Sequence, residues 1–240
     1  MDTATITRTL KLVTYNIHSY VGRDGRCDTS RIQRILDEEQ PDIAALQEVE
    51  WKLDSPNAFP TVGSYCQTRS AAVGAFGLVT LSPLRVLDCE KYDLSYGSAR
   101  EPRYCLRTDL EVEPGAVLHV FNCHLGLAVR ERRFQRDRML SDAILLAKNL
   151  HHPVVLMGDF NDSIWPVVHS SLRRHFSDAF RVAGKRWGPT FRAGPLSLRL
   201  DRIYVSPGIR VADCWVRSDA LTRAASDHLP VLATVEIDWR

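Results

Sequence analysis

The sequence predicts an α/β fold in which two packed β-sheets are covered by helices. Short β-prone runs bounded by turn residues recur along the 240 residues, whereas helical periodicity is confined to a few stretches. Strands and helices also fail to alternate strictly, which argues for two stacked sheets over one parallel sheet of βαβ units. No linker or internal repeat divides the chain, so residues 1–240 are expected to form a single domain.

The first strand spans Leu10 to His18, where Leu12, Val13, Tyr15 and Ile17 supply the β-prone apolar content. A Gly/Asp/Arg-rich loop follows from Val21 to Cys27. Asp28, Thr29 and Ser30 are caps for a helix that carries Ile32, Ile35 and Leu36 at helical spacing and ends at Pro41. Ile43 to Val49 is nearly continuous in apolar residues, as a buried strand should be. Trp51 to Ala75 is turn-rich and supports no assignment.

Phe76 to Leu81, Tyr104 to Val112 and Val117 to His124 read as three further strands, the last two joined by a hairpin turn at Gly115. Ala128 to Leu150 is the longest helical pattern. It places Phe134, Met139, Leu140, Ile144 and Leu145 inward, and Arg130, Arg132, Arg133, Arg136 and Arg138 on a solvated face. Pro153 stops that helix, with His151 and His152 at its carbonyl end, where positive charge is favourable. Val154 to Met157 is a fully apolar strand. Pro166 to Phe180 is weakly helical, and short strands follow at Leu198 to Val205, Asp213 to Arg217 and Pro230 to Ile237.

Hydrophobic residues make up 45% and charged residues 25%, enough to bury a core without disulfide staples. Lys plus Arg total 31 against 29 Asp plus Glu, for a net charge of +2. That excess is small for a dedicated nucleic-acid binder but permits a local basic cleft. Cys27, Cys66, Cys89, Cys105, Cys123 and Cys214 form no C-x-x-C pair, which favours reduced thiols over a zinc site or disulfide framework. The N-terminus has no apolar signal region, and no apolar run approaches the roughly 20 residues of a membrane span. A soluble protein of the cytoplasm is expected.

Chemistry-bearing residues gather at the ends of the predicted strands: Asn16, Glu48, His124, Asp159 with Asn161, Asp201, and Asp227 with His228. Strand ends are rigid platforms on which acids and imidazoles can converge. Asp159 and Asn161 would face one side if extended, and Gly158 before them permits a close approach by substrate or metal. Each feature alone is better explained blandly: Gly-Asp as a turn, Glu48 as a solvated strand end, His124 as a satisfied core histidine. Together they point to a site.

Six ordered segments carry a family resemblance: Thr14–His18, Leu46–Val49, Asn122–Gly126, Gly158–Asp162, Leu200–Tyr204 and Ser226–Pro230. They resemble the successive motifs of the endonuclease/exonuclease/phosphatase superfamily, which includes deoxyribonucleases, abasic-site endonucleases, tyrosyl-DNA phosphodiesterases, neutral sphingomyelinases and inositol polyphosphate 5-phosphatases. The resemblance implies a four-layer α/β sandwich, two central mixed sheets flanked by helices. It also implies Mg²⁺ as cofactor, with Mn²⁺ able to substitute, held by Glu48 with Asn16 and Asp227 nearby. Asp159 would be the base for the attacking water, Asn161 would hydrogen-bond a phosphoryl oxygen, and His228 would be oriented and kept cationic by Asp201. His124 would add a second imidazole, and Arg103, which follows Glu101-Pro102, is a candidate phosphate ligand or a surface ion-pair residue.

No Trp stands in the segment before Asp201, unlike the inositol phosphatases, and His124 stands where abasic-site endonucleases use Tyr. The chain is therefore most similar to the deoxyribonuclease, sphingomyelinase and tyrosyl-DNA phosphodiesterase side. The implied activity is a metal-dependent phosphodiesterase acting on nucleic acid or a phospholipid head group, without an obligate protein partner. The alternatives are a phosphomonoesterase on a small soluble ester and a non-catalytic binding domain, the latter disfavoured by the full set of acids.

Overall fold

The computed structural model describes residues 6–50, 64–68, 77–97, 101–193 and 195–239. Most of the unassigned stretch from Trp51 to Ala75 lies outside them. Strand β1 (Ile6–Asn16) pairs in parallel with β2 (Ile43–Val49) and antiparallel with the last strand, β14 (Val231–Trp239). With β3 (Ser64–Thr68), β4 (Gly77–Ser82) and β13 (Arg210–Val216) they form one sheet in the order β13-β14-β1-β2-β4-β3. The second sheet is built from β5 (Arg85–Asp93), β6 (Tyr104–Glu113), β7 (Ala116–His124), β8 (Val154–Asp159), β9 (Ser177–Asp178) and β12 (Asp201–Val205). Its order is β5-β6-β7-β8-β12-β9, mixed like the first.

Period-two alternation decides what lies between the sheets. Leu10 and Leu12 of β1, Ile43 and Ala45 of β2, Leu118 and Val120 of β7, Val155 and Met157 of β8, and Ile203 and Val205 of β12 share one buried core. The intervening residues face outward under helices. Val13, Tyr15, Ala44 and Leu46 pack with Ile32, Ile35 and Leu36 of α1 (Thr29–Glu39) and Ala225 of α5 (Ala220–Ala225). Phe121, Cys123, Leu156 and Tyr204 pack with Met139 of α2 (Val129–Met139) and Leu172 of α3 (His169–Leu172). Helix, sheet, sheet, helix gives the four layers.

Several elements differ from expectation for local reasons. Helix α2 ends at Met139, well short of Leu150. Ser141 Oγ donates to the Arg138 carbonyl and accepts from Ala143 N–H, diverting the backbone into turns. Ile144 and Leu145 stay buried from those turns, and His151 and His152 do not follow a helix end. The face of α2 toward the protein is polar: Glu131, Arg132 and Gln135 are buried, so Arg132 leaves the solvated set. The expected Leu198–Val205 strand divides, because Leu196–Leu198 forms β11 in a separate hairpin with β10 (Phe191–Ala193). β5 and α5 have no counterpart in the predicted elements: β5 is an almost wholly exposed edge strand without apolar alternation. Helix α5 is signalled only by its capping box of Asp219 and Thr222. A short helix α4 (Ala179–Val182) follows β9.

Candidate active site

The inner faces of the sheets turn polar at one end, and the candidate site begins there. The parity that buries Leu12, Val120, Met157 and Ile203 continues to Asn16, Asn122, His124, Asp159 and Asp201. In register, His124 and Asp201 are both opposite Asp159, so three strands deliver their polar ends to one place. A cleft of about 590 Å³ opens above them. Glu48, Arg103, His124, Asp159, Asn161, Asp227 and His228 line it, while Asn16 and Asp201 hold their positions from behind.

Glu48 reaches this cleft against its parity. Inner-facing Ile43 and Ala45 would put residue 48 on the outer face, but Glu48 has a left-handed φ of 54°. The β2–β4 register shifts there, between Leu46 and Val49. Asn122 of the opposite sheet seals the break: its amide donates to the Leu46 and Val79 carbonyls at 3.1 and 3.0 Å. Gln47 Nε2 in turn donates to Asn122 Oδ1 at 2.8 Å. Thus the irregular backbone that aims Glu48 is held by a buried cross-sheet clamp.

Asp159 is the hub. It is 1% exposed, its Oδ1 accepts the Asn161 backbone N–H at 2.9 Å, and its Oδ2 accepts Asn16 Nδ2 at 3.1 Å. Asn16 Nδ2 also donates to Glu48 Oε1 at 2.9 Å. Asn161 has φ of 50°, so it is turned beside Asp159 and not extended from it. Its amide donates to the Leu125 carbonyl at 2.8 Å. Gly158 permits a close approach, but the approaching group is strand β7: a Cβ there would lie 2.0 Å from the Cys123 carbonyl oxygen.

The two histidines are set to opposite charge states. His228 Nδ1 lies 2.8 Å from Asp201 Oδ2 and its Nε2 lies 3.8 Å from Asp159 Oδ2. Burial favours the neutral ring, but Asp201 and Asp159 outweigh it and raise the imidazole to about 10. Burial, reinforced by Arg103 and His228, holds His124 well below the usual histidine range. Arg103 Nη1 donates to His124 Nδ1 at 3.2 Å, so neutral His124 carries its proton on Nε2. That nitrogen faces Asp159 Oδ2 at 3.6 Å and Glu48 Oε1 at 3.8 Å. Burial and then Asp201 push the Asp159 carboxyl up to about 6, with His228 opposing them.

Arg103 is 8% exposed, pairs with Glu101 at 2.8 Å and forms part of the cleft wall. His18, whose Nδ1 is 3.8 Å from Asp227 Oδ1, also lines the cleft. Nothing in the sequence distinguished His18 from an ordinary turn residue after β1. Arg132 lines the cleft too, paired with Asp162 at 3.3 Å. Its signal was hidden among the other arginines of α2.

The donor set suits a hard divalent cation. Glu48, Glu101, Asp159 and Asp227, with Asp201 behind them, outnumber the Arg103, Arg132 and His228 cations, so an anionic ligand needs added positive charge here. Glu48, Asn16 and Asp227 offer oxygen donors, the chemistry Mg²⁺ prefers. Asp159, Asp201 and His228 also present atoms within 4.8 Å of one another. A cation among those three would have to displace the Asp201–His228 hydrogen bond, so the Glu48 side fits better.

A search of curated proteins finds no significant match. Among solved structures, an endonuclease/exonuclease/phosphatase family protein from Bacteroides thetaiotaomicron has a TM-score of 0.80 at 20% identity, covering 98% of this chain and 100% of its own. The mannosyl-6-phosphatase Bt3783 from Bacteroides thetaiotaomicron VPI-5482 has a TM-score of 0.77 at 20% identity, covering 94% and 99%. Truncated Caenorhabditis elegans TDP2 has a TM-score of 0.72 at 20% identity, covering 95% and 97%. These likenesses share the sandwich fold. The family model described as Endonuclease/Exonuclease/phosphatase matches residues 13–228, nearly the whole span of the cleft-bearing elements, and the chain belongs to that family of hydrolytic phosphoesterases.

Proposed function

We propose that the chain is a Mg²⁺-dependent phosphodiesterase that hydrolyses its ester by direct attack of water, on a substrate of nucleic-acid or phospholipid head-group type. The observation that carries this reading is the convergence on Asp159: a buried carboxylate bonded to Asn16 and Asn161, with both imidazole Nε2 atoms within 3.8 Å. Glu48, Asn16 and Asp227 would hold Mg²⁺, which when bound supplies positive charge to the phosphoryl oxygens.

The protein's own groups account for the remaining steps. Asp159 orients the water and takes its proton as the new P–O bond forms, and the electron pair of the breaking P–O bond stays on the leaving oxygen. Asn161 donates its second amide hydrogen to a phosphoryl oxygen. His228, cationic through Asp201, and the Nε2–H of His124 face the charge that develops on phosphorus oxygens. Arg103 fixes the His124 tautomer and adds a positive wall.

A diester fits this charge balance better than a monoester, because a diester brings one negative charge to an acid-rich cleft where a monoester brings about two. A monoesterase on a small soluble substrate remains the second reading, favoured by the fold shared with a mannosyl-6-phosphatase. A cytoplasmic setting agrees with the unbridged thiols of Cys27, Cys105, Cys123 and Cys214, and no described helix is long and apolar enough to cross a membrane.

The test is hydrolysis of bis(p-nitrophenyl) phosphate, single- and double-stranded DNA, RNA, a 5′-phosphotyrosyl oligonucleotide, sphingomyelin and a sugar phosphate, with Mg²⁺ or EDTA. Diester cleavage that requires Mg²⁺ and falls at least about 10³-fold in Asp159→Ala is expected. Cleavage of the sugar phosphate alone would establish the second reading, and cleavage undiminished by Asp159→Ala would overturn the mechanism.

A further inference from the structure

The cleft has an apolar lining as well as a polar one. Besides the acids and imidazoles it is lined by Leu127, Ile164, Trp165, Phe191 and Leu198. Leu127, Ile164 and Trp165 are 74%, 63% and 67% exposed, so three large apolar side chains face water at its mouth. Scattered surface hydrophobics need no explanation, but a contiguous set beside a reactive centre does. Phe191 adds a second aromatic ring, 4.8 Å from the ring of His228, which places that lining next to the reacting groups.

This mouth is built on a rigid foundation. Asp162 is wholly buried and its Oδ2 accepts the backbone N–H groups of Val168 and His169 at 2.9 and 2.7 Å. Those bonds close the loop that carries Ile164 and Trp165. Arg132 ties Asp162 Oδ1 to the Gly126 carbonyl, both at 3.3 Å, and also donates to the Leu127 carbonyl. One guanidinium therefore joins the loop after β7 to the loop after β8. Exposed side chains on a fixed backbone are ready to bind without an ordering cost.

We propose that this mouth is a binding site for a planar aromatic group carried by the phosphate ester, with Trp165 as its stacking face. The proposal rests on the phosphoesterase reading of the same cleft and names the organic half of its substrate. Two rings line the cleft, Trp165 and Phe191, and flat rings reward stacking where an alkyl chain gains only area. A single bound phosphate suits the few cations present, Arg103, Arg132 and His228, whereas a long polyanion would require a basic track.

The experiment uses the full chain with Mg²⁺ and phosphonates, whose C–P bond is not an ester. Methyl-, butyl- and phenylphosphonate and the 5′-phosphonate analogue of thymidine monophosphate are titrated by ³¹P NMR against wild type, Trp165→Ala and Trp165→Phe. Phenylphosphonate is expected to bind about tenfold more tightly than methylphosphonate, a preference lost in Trp165→Ala and largely kept in Trp165→Phe. Methylphosphonate should bind all three proteins alike. A thymidine analogue that shares the Trp165-dependent preference identifies the ring as a nucleobase; one that behaves like methylphosphonate identifies a phenolic ring attached directly to phosphate.

Equal affinity for methyl and phenyl, butyl binding as tightly as phenyl, or a preference that survives Trp165→Ala would each overturn the proposal. So would failure of every phosphonate to bind. Loss of the aromatic preference with Mg²⁺-dependent diester cleavage intact rejects this mouth alone. Aromatic preference in a protein that cleaves nothing rejects the phosphoesterase reading and leaves the mouth.

Discussion

Asp201 acts on the cleft through His228 and, by its charge, on Asp159. Its Oδ2 holds His228 Nδ1 at 2.8 Å, and its charge contributes to raising that imidazole to about 10. Asp201→Asn keeps the shape and removes the charge, so His228 loses both its fixed tautomer and its cationic bias. Diester hydrolysis should fall about 10²- to 10⁴-fold in kcat, by analogy with other Asp–His pairs, while circular dichroism and KM change little. A kcat within a factor of three of wild type would remove the pair from the mechanism. Much of this candidate site was readable at the level of single residues, because Asn16, His124, Asp159 and Asp201 obey the same period-two parity as the core residues of their own strands. Glu48 was singled out by its place at a strand end and by its motif, and its left-handed φ breaks the parity. Arg132 was missed because its partner, Asp162, is distant in sequence and an arginine on a basic helix looks solvated.

At the scale of elements, the β2 bulge and the Asn122 clamp should fail together. Asn122→Leu removes the amide that bonds the Leu46 and Val79 carbonyls and takes one of the three acceptors from Gln47 Nε2, which keeps Thr14 Oγ1 and the Ala45 carbonyl. A loss of roughly 3–5 kcal/mol in urea denaturation is expected for burying those groups without these bonds. Calorimetry should also show weaker Mg²⁺ binding, because Glu48 loses the frame that aims it; unchanged Mg²⁺ affinity would separate the clamp from the site.

Helix α3 carries a second element-scale prediction. Burial, then the Arg202 cation, depresses His169 to about 4, and its Nδ1 meets Tyr204 Oη at 2.7 Å. The unfolded chain binds that proton near 6.5 and the folded chain near 4, so His169 stabilises the fold fully above about pH 6.5 and loses that contribution as pH falls toward 4. The melting temperature of wild type should drop more steeply between pH 7 and 5 than that of His169→Gln; parallel curves would refute this. Neither feature was visible in sequence. A bulge inserts no signature into Leu46-Gln47-Glu48-Val49, and a histidine on a weakly helical segment says nothing about the tyrosine it will meet. The overlong α2 had the opposite cause, since apolar spacing continued while Ser141 redirected the backbone.

Across the whole molecule, the site straddles the boundary between the sheets. Asn16 and Glu48 of β1 and β2, with Asp227 and His228 just before β14, stand on one sheet's side, and His124, Asp159 and Asp201 of β7, β8 and β12, with Arg103 just before β6, on the other's. A cation with a bound phosphonate should therefore stabilise both halves at once. At about one hundred times Kd the gain is roughly 2.7 kcal/mol, so Mg²⁺ plus ligand should raise the melting temperature by several degrees and EDTA should reverse it. A shift of zero with saturating ligand would show that the sheets are not bridged. The layered architecture itself was legible early, because alternating strands with few helices can bury their inner faces only against each other.

Straddling that boundary makes the apolar interior a spacer as well as a source of stability. Leu12, Ala45, Val120, Met157 and Ile203 set the thickness of the gap, and that thickness sets the reach from Asn16 to Asp159 at 3.1 Å. A methyl group removed far from the cleft can thus detune the rate while the fold survives. Repacking this core with larger or smaller side chains offers a dial for the width of the cleft that touches none of its lining residues.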